Sequence, residues 1–213
     1  RRIAGIKQAI ETVSEEISAG IFLKGSYKSI DTQNEVTYTY PVATSVARAT
    51  IEDWAIWFTK QINEFSKKRK VQVTEILVGE NVFNDILKTY NATSNKIIPA
   101  NARRVNTEDG QWELHLEVFG FDFTMIPQVT DTEGNPIDMS NSIMFYNELA
   151  FLPAYAGVRN VVNGVASMEA IDVLIRETSA NEKTGLAETL GESAFCPMVI
   201  NPTLVKQIKV TGL

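Results

Sequence analysis

Ile3, Ile6, Ile10, Val13 and Ile17 recur at steps of three and four, which predicts a helix carrying one narrow apolar stripe. Such a stripe packs on a single surface, of its own domain or of a neighbouring subunit. Gly20 is placed to end the helix, because glycine accepts the left-handed conformation that follows a helix C-terminus. Residues 21 to 40 read as a long hairpin: Val36, Tyr38 and Tyr40 alternate with Thr37 and Thr39, and Asp31-Thr32-Gln33-Asn34 supplies the turn. The opposing strand, Ile21 to Ile30, carries Gly25 and mixed polar residues. A two-stranded ribbon is marginal in water by itself, so this one needs a surface to lie on.

Thr50, with Asp53 three residues on, predicts a helix start close to a capping box. Ile51, Trp54, Ala55, Phe58, Ile62 and Phe65 then trace one face to about Lys70. Val71 to Val78 predicts a buried strand ended by Gly79, and Val82, Phe83, Ile86, Leu87 and Tyr90 a short amphipathic helix. Residues 92 to 110 are polar and loop-like. Two strands follow between Gln111 and Val129, broken near Phe119-Gly120. The turn Thr130 to Pro136 precedes a short strand at Ile143 to Tyr146. Beyond Pro153 the pattern weakens until Ala170 to Arg176, residues 178 to 195 read as loop, and Pro197 to Thr211 closes the chain in extended structure. Helices and strands mix without regular βαβ alternation, so the fold class is α+β.

Composition narrows the function. The chain has 213 residues with 44% hydrophobic and 22% charged, enough for one compact domain or two joined ones without a disulfide or metal staple. No apolar run approaches the ~20 residues of a membrane-spanning helix, so no membrane partner is expected. The single cysteine, Cys196, excludes an internal disulfide, fits a reducing cytoplasm, and reads as a small buried hydrophobe. A formal charge of −6 lacks the broad basic footprint of a specific nucleic-acid binder. The one basic run, Lys67-Lys68-Arg69-Lys70, sits where cations favour the negative end of a helix macrodipole. Its functional alternative is a weak, local phosphate contact. The chain opens on Arg1-Arg2-Ile3, already in a helical pattern and without methionine, which points to a segment preceding it.

Catalytic chemistry has no carrier. The one histidine, His115, stands between Leu114 and Leu116 and reads as structural. No Gly-x-Ser-x-Gly elbow, phosphate-binding glycine loop or dinucleotide fingerprint is present. Cysteine and histidine are too few for a clustered zinc site. Glu15-Glu16, Glu52-Asp53, Glu108-Asp109 and Asp131 with Glu133 are explained by solvation and capping, while a carboxylate pair formed only in the fold, or a cation site using Asp122, Asp131 and Asp138, stays open. No cofactor and no metal are expected, and the chain is not expected to be an enzyme.

The order of parts is informative. RRIAGIKQAIETVSEEISAGIFLKGSY, TIEDWAIWFTKQINEF, VTEILVGENVFNDIL, FDFTMIPQVTDTEGN with SNSIMFYNE, and SAFCPMVINPTLVKQIKV follow one another. That succession resembles the lambda-type (E family) major capsid proteins of tailed bacteriophages: a helix entering an extended loop, a long spine helix, a strand and short helix, a strand–acidic turn–strand unit, and a closing strand. The likeness covers most of the chain and rests on order and spacing. The chain departs from the family at Ala49-Thr50-Ile51-Glu52, where relatives carry a Trp-Ser-Asp-Pro stretch, and in the arm that relatives carry before the first helix.

The resemblance implies a mechanical function, that of an icosahedral phage or prophage shell subunit enclosing a genome, in the virion and, during assembly, in the host bacterial cytoplasm. It implies an N-terminal helix and extended loop over 1–40, a peripheral domain over 41–70 and 160–195, and an axial domain over 71–159 and 196–213. Lys24, Gly25, Tyr27, Asp31, Asn34, Tyr38 and Tyr40 would form the inter-subunit ribbon. The implied partners are further copies of the chain in hexamers and pentamers, scaffolding or portal proteins, and at most non-specifically packaged DNA. Some relatives cross-link through a ribbon lysine; Lys24 and Lys28 are the lysines here, and nothing in the sequence selects either for that chemistry. Two rival readings stand beside this one: an encapsulin-like nanocompartment shell that packages enzyme cargo, and a monomeric α+β binding or enzymatic domain.

Overall fold

The computed structural model describes residues 2–28, 35–37, 44–92, 101–106, 112–118, 120–155, 157–162, 165–170, 173–177 and 189–213. Its elements in chain order are α1 (Arg2–Ala19), β1 (Ser26–Lys28), β2 (Glu35–Thr37), β3 (Thr44–Ala47), α2 (Trp54–Arg69), β4 (Glu75–Val78), α3 (Glu80–Ala92), β5 (Asn101–Asn106), β6 (Trp112–Val118), β7 (Phe121–Met125) and β8 (Ser142–Tyr146). There follow β9 (Phe151–Tyr155), β10 (Gly157–Val162), β11 (Val165–Ala170), β12 (Leu174–Glu177), β13 (Thr189–Glu192), β14 (Phe195–Val199) and β15 (Val205–Thr211). The chain is α+β, and it divides into two units.

One unit takes residues 38–129, 136–150 and 200–213. Its sheet has seven strands in the order β3-β15-β8-β4-β7-β6-β5. β15 runs parallel to β3 and β4 parallel to β7, while the other neighbours are antiparallel. Period two puts Ile76 and Val78, Ile143 and Phe145, Ile208 and Val210 on one face, and α2 and α3 bury their apolar sides against it. Trp54, Phe58 and Phe65 of α2 and Val82, Phe83, Ile86 and Tyr90 of α3 share that core with Leu116 and Phe123. Phe58 is its centre: the ring is fully buried, with centroids 4.6 Å from Phe123, 5.6 Å from Trp54 and 5.8 Å from Phe145. Asp85 joins the two helices from within. It accepts from the Trp54 indole at 2.9 Å and from Arg48 Nε at 2.5 Å, and Arg48 also donates to the Ile51 carbonyl at 2.6 Å.

The other unit takes residues 1–37, 130–135 and 151–199. Its strands form four antiparallel pairs, β1–β2, β9–β14, β10–β11 and β12–β13. α1 lies on β13 and β14, setting Ile6 and Ile10 over Gly191, where a Cβ would run into the Ile6 side chain. The helical stripe read from the sequence thus finds its surface inside its own chain.

Three local expectations change. Gly20 does not end the first helix: a π-helical turn, Gly20–Lys24, continues it, with Ile21 and Leu23 buried. Gly25 ends it instead, at φ 78°, its N–H reaching the carbonyls of Gly20 and Ile21. The stretch from Ile21 to Lys24 is therefore helix rather than ribbon strand, because its apolar residues are held by burial that an exposed ribbon could not supply. At α2 the cap is Asp53, whose side chain accepts from the Ile56 N–H at 2.9 Å, while Thr50 hydroxyl donates to the Ala47 carbonyl at 2.7 Å. α2 belongs to the unit of the seven-stranded sheet, since Trp54, Phe58 and Phe65 need a broad apolar face, and 160–195 falls in the unit with α1.

Candidate assembly site

The base of the expected ribbon is built by α1 and its π-turn. Phe22 rests on Phe151 with centroids 4.3 Å apart, and the turn into β1 is closed by Gly25 in the left-handed region that favours glycine. From there β1 and β2 pair in the register Ser26↔Thr37, Tyr27↔Val36, Lys28↔Glu35. Lys24, Gly25 and the Tyr27 backbone therefore come together at the foot of a hairpin. Asp31, Asn34, Tyr38 and Tyr40 lie outside the described residues, as does the Cys196 side chain.

A partner that sequence reasoning missed holds this foot. Lys24 Nζ lies 3.3 Å from Asp131 Oδ2, and Asp131 is the nucleus of the acidic turn. Its Oδ1 accepts from the N–H groups of Glu133 at 3.0 Å and Asn135 at 2.9 Å, and its own N–H donates to the Asn135 carbonyl at 2.8 Å. The Asn135 N–H holds the carboxyl below its usual range against an opposing desolvation, helped by the Glu133 N–H and by Lys24. The turn chemistry at Asp131 to Asn135 was legible. Its link to a lysine 107 residues away was not.

The other carboxylates of the conceivable cation set have partners of their own. Asp138 accepts from Ser140 through both its hydroxyl, at 2.5 Å, and its N–H, at 3.1 Å. Those two hydrogen bonds lower its carboxyl, against desolvation and with the Lys209 charge assisting. Asp122 lies 3.4 Å from His115 Nδ1, and Thr124 Oγ1 is 3.5 Å from the same nitrogen. Among the described residues no three His, Cys, Asp or Glu side chains are grouped to hold a metal, and no helix is long and apolar enough to cross a membrane.

The basic run divides. Lys67 and Lys68 are exposed in the last turn of α2. Arg69 folds back, its guanidinium over the Phe65 ring at 4.3 Å and its Nε donating to the Thr203 carbonyl. Partial burial lowers the Arg69 pKa. Lys70 is the C-cap at φ 59°, its N–H on the Ser66 carbonyl. A fifth cation joins them from another element: Lys206 of β15, 2.6 Å from Gln61 Oε1 and 3.6 Å from Glu64. On the β9–β14 pair, Leu152 stands opposite Met198 and both are exposed.

No protein-family model matches the chain, and no curated protein matches it. Among solved structures it resembles the crystal structure of a provisionally assigned prophage capsid protein from E. coli CFT073, with a TM-score of 0.59 and 10% identity. The match takes in 99% of this chain and 66% of that one, so the chain spans just under two thirds of the length of the protein it resembles. At that identity the likeness is one of architecture, and it identifies the α+β fold of this chain as one shared with a prophage capsid protein.

Proposed function

We propose that the chain is a structural subunit of an icosahedral phage or prophage capsid of the lambda type, working by repetition of its own contacts rather than by catalysis. The observation that carries this reading is the likeness of fold over 99% of the chain. The mechanism follows from the hairpin foot. A two-stranded ribbon has no stability to spare, and here it springs from an anchored base: a buried π-turn, a glycine cap and the Lys24–Asp131 pair. Laid across an adjacent copy, the ribbon segment with Tyr27, Asp31, Asn34, Tyr38 and Tyr40 gains the surface it lacks. Symmetric repetition of that contact closes rings and then a shell, in hexamers and pentamers. The product belongs in the virion, reached through the host cytoplasm, with scaffolding and portal proteins as further partners.

Electron microscopy of the expressed protein tests this. Closed particles containing DNA support a genome-enclosing shell. Closed particles holding a protein cargo and no DNA point to a nanocompartment, and a species that is monomeric at every concentration removes the shell reading.

A further inference from the structure

The cations around the C-terminal half of α2 exceed what the helix terminus explains. Residues 60 to 70 with Lys206 hold Lys60, Lys67, Lys68, Arg69, Lys70 and Lys206 against one carboxylate, Glu64, in a chain whose acids outnumber its bases by 26 to 20. A macrodipole favours cations only in the last turn. Lys60 lies mid-helix and Lys206 comes from β15, so neither is accounted for that way. Lys206 is held there at a cost: burial lowers its pKa first, Glu64 raises it, and the charges of Arg69 and Lys68 lower it again. On α2, Lys60, Asn63 and Lys67 recur at helical spacing and are all exposed. Lys60 and Lys67 stand two turns apart on one line, about 10 Å along the axis, and Lys68 flanks that line about a quarter-turn round the helix.

We propose that this face of α2 binds the phosphate backbone of double-stranded nucleic acid without reading its sequence. Lys60, Lys67 and Lys68 make the contacts, while Arg69 and Lys206, committed to Thr203 and to Gln61 and Glu64, add field rather than contact. Duplex DNA presents one negative charge per about 1.7 Å of axis, so such a line spans several phosphates. Each copy contributes little, and the many copies of a shell contribute together. The inference deepens the capsid reading and rests on it: the contact requires this face to line the lumen.

The test is binding of the full chain to a duplex of random sequence across a salt titration. About three phosphate contacts give a slope of log K against log salt near −3. The double variant Lys60→Gln, Lys67→Gln lowers the magnitude of that slope by about 2, Glu64→Gln strengthens binding, and the control Lys7→Gln, Lys88→Gln, at exposed lysines elsewhere, leaves it unchanged. Absence of binding at low salt, a double variant indistinguishable from the parent, or a control that loses as much overturns the proposal. Capture by phosphatidylglycerol vesicles with the same lysine dependence overturns it in favour of a lipid surface. Micrographs of the same preparations separate this from the shell reading: particles without the DNA response remove only the phosphate contact, and a DNA response without particles removes only the shell.

Discussion

Phe58 shows how one side chain can organise a core. Its ring touches both helical neighbours and the sheet from full burial, so Phe58→Ala should cost about 3–5 kcal/mol, read from the denaturant midpoint. Its role was legible, because the helical face running from Ile51 to Phe65 has Phe58 near its middle. Asp85 was not legible, being one acid among 26 whose partners, Trp54 and Arg48, lie 31 and 37 residues away. Asp85→Ala takes the acceptor from the Trp54 indole N–H and from Arg48 Nε–H, while the guanidinium keeps the Ile51 carbonyl, and a loss on the order of 1–3 kcal/mol is expected in the same measurement. Asp131 makes a pH prediction. Its folded pKa is depressed, so the stability it contributes is complete above the unfolded value of about 4 and is lost as pH falls through the lower folded value. The difference in melting temperature between the parent and Asp131→Asn should accordingly shrink to nothing on acidification, and a difference that grew in acid would refute the assignment.

Helices and strands were legible in proportion to how strongly a period marked them. α2, α3, β4 and β8 carry clean apolar spacing and stand close to where the sequence puts them. The pairs β9–β14 and β10–β11 were missed. β10 and β11 mix polar and apolar residues, while β9 and β14 are almost wholly apolar with a proline in mid-strand, so neither pair shows a clean period-two alternation. A turn signal was nevertheless present, since Asn163-Gly164 separates β10 from β11 and that dipeptide is a strong mark of a tight hairpin. The end of α1 was misplaced for a different reason. Glycine can stop a helix or be buried within one, and only tertiary packing decides. Close approach also makes two glycines sensitive to a single methyl group. Gly191→Ala would push its Cβ into Ile6 and lift α1 from β13, so α1 should become the first site of limited proteolysis. Gly79→Ala would drive a Cβ into the Met139 and Ser140 backbone, which has less freedom to yield than a side chain. The melting temperature should fall further for Gly79→Ala than for Gly191→Ala, and the reverse order would show that the 139–140 backbone yields.

The whole molecule was legible as a succession of parts. Local order along the chain foretold an α+β chain with a helix-fed hairpin. Which distant segments share a core depends on matching apolar faces, and those of α2 and the seven-stranded sheet match. That sheet also departs from chain order, because β15, the last of its strands in sequence, sits between β3 and β8. Among the described residues β3 has no other neighbour in the sheet, so it waits for residues 205–211 to leave the ribosome. Synthesis therefore acts as a timer. On a crowded polysome the β3 edge stays open to pairing with neighbouring nascent chains for as long as β15 is missing, and the arrival of β15 closes it. Arrested chains ending at residue 204 should be cut readily by protease within 44–47, and chains extended far enough to release residue 211 should resist. Equal resistance at both lengths would show that the sheet closes without its final strand.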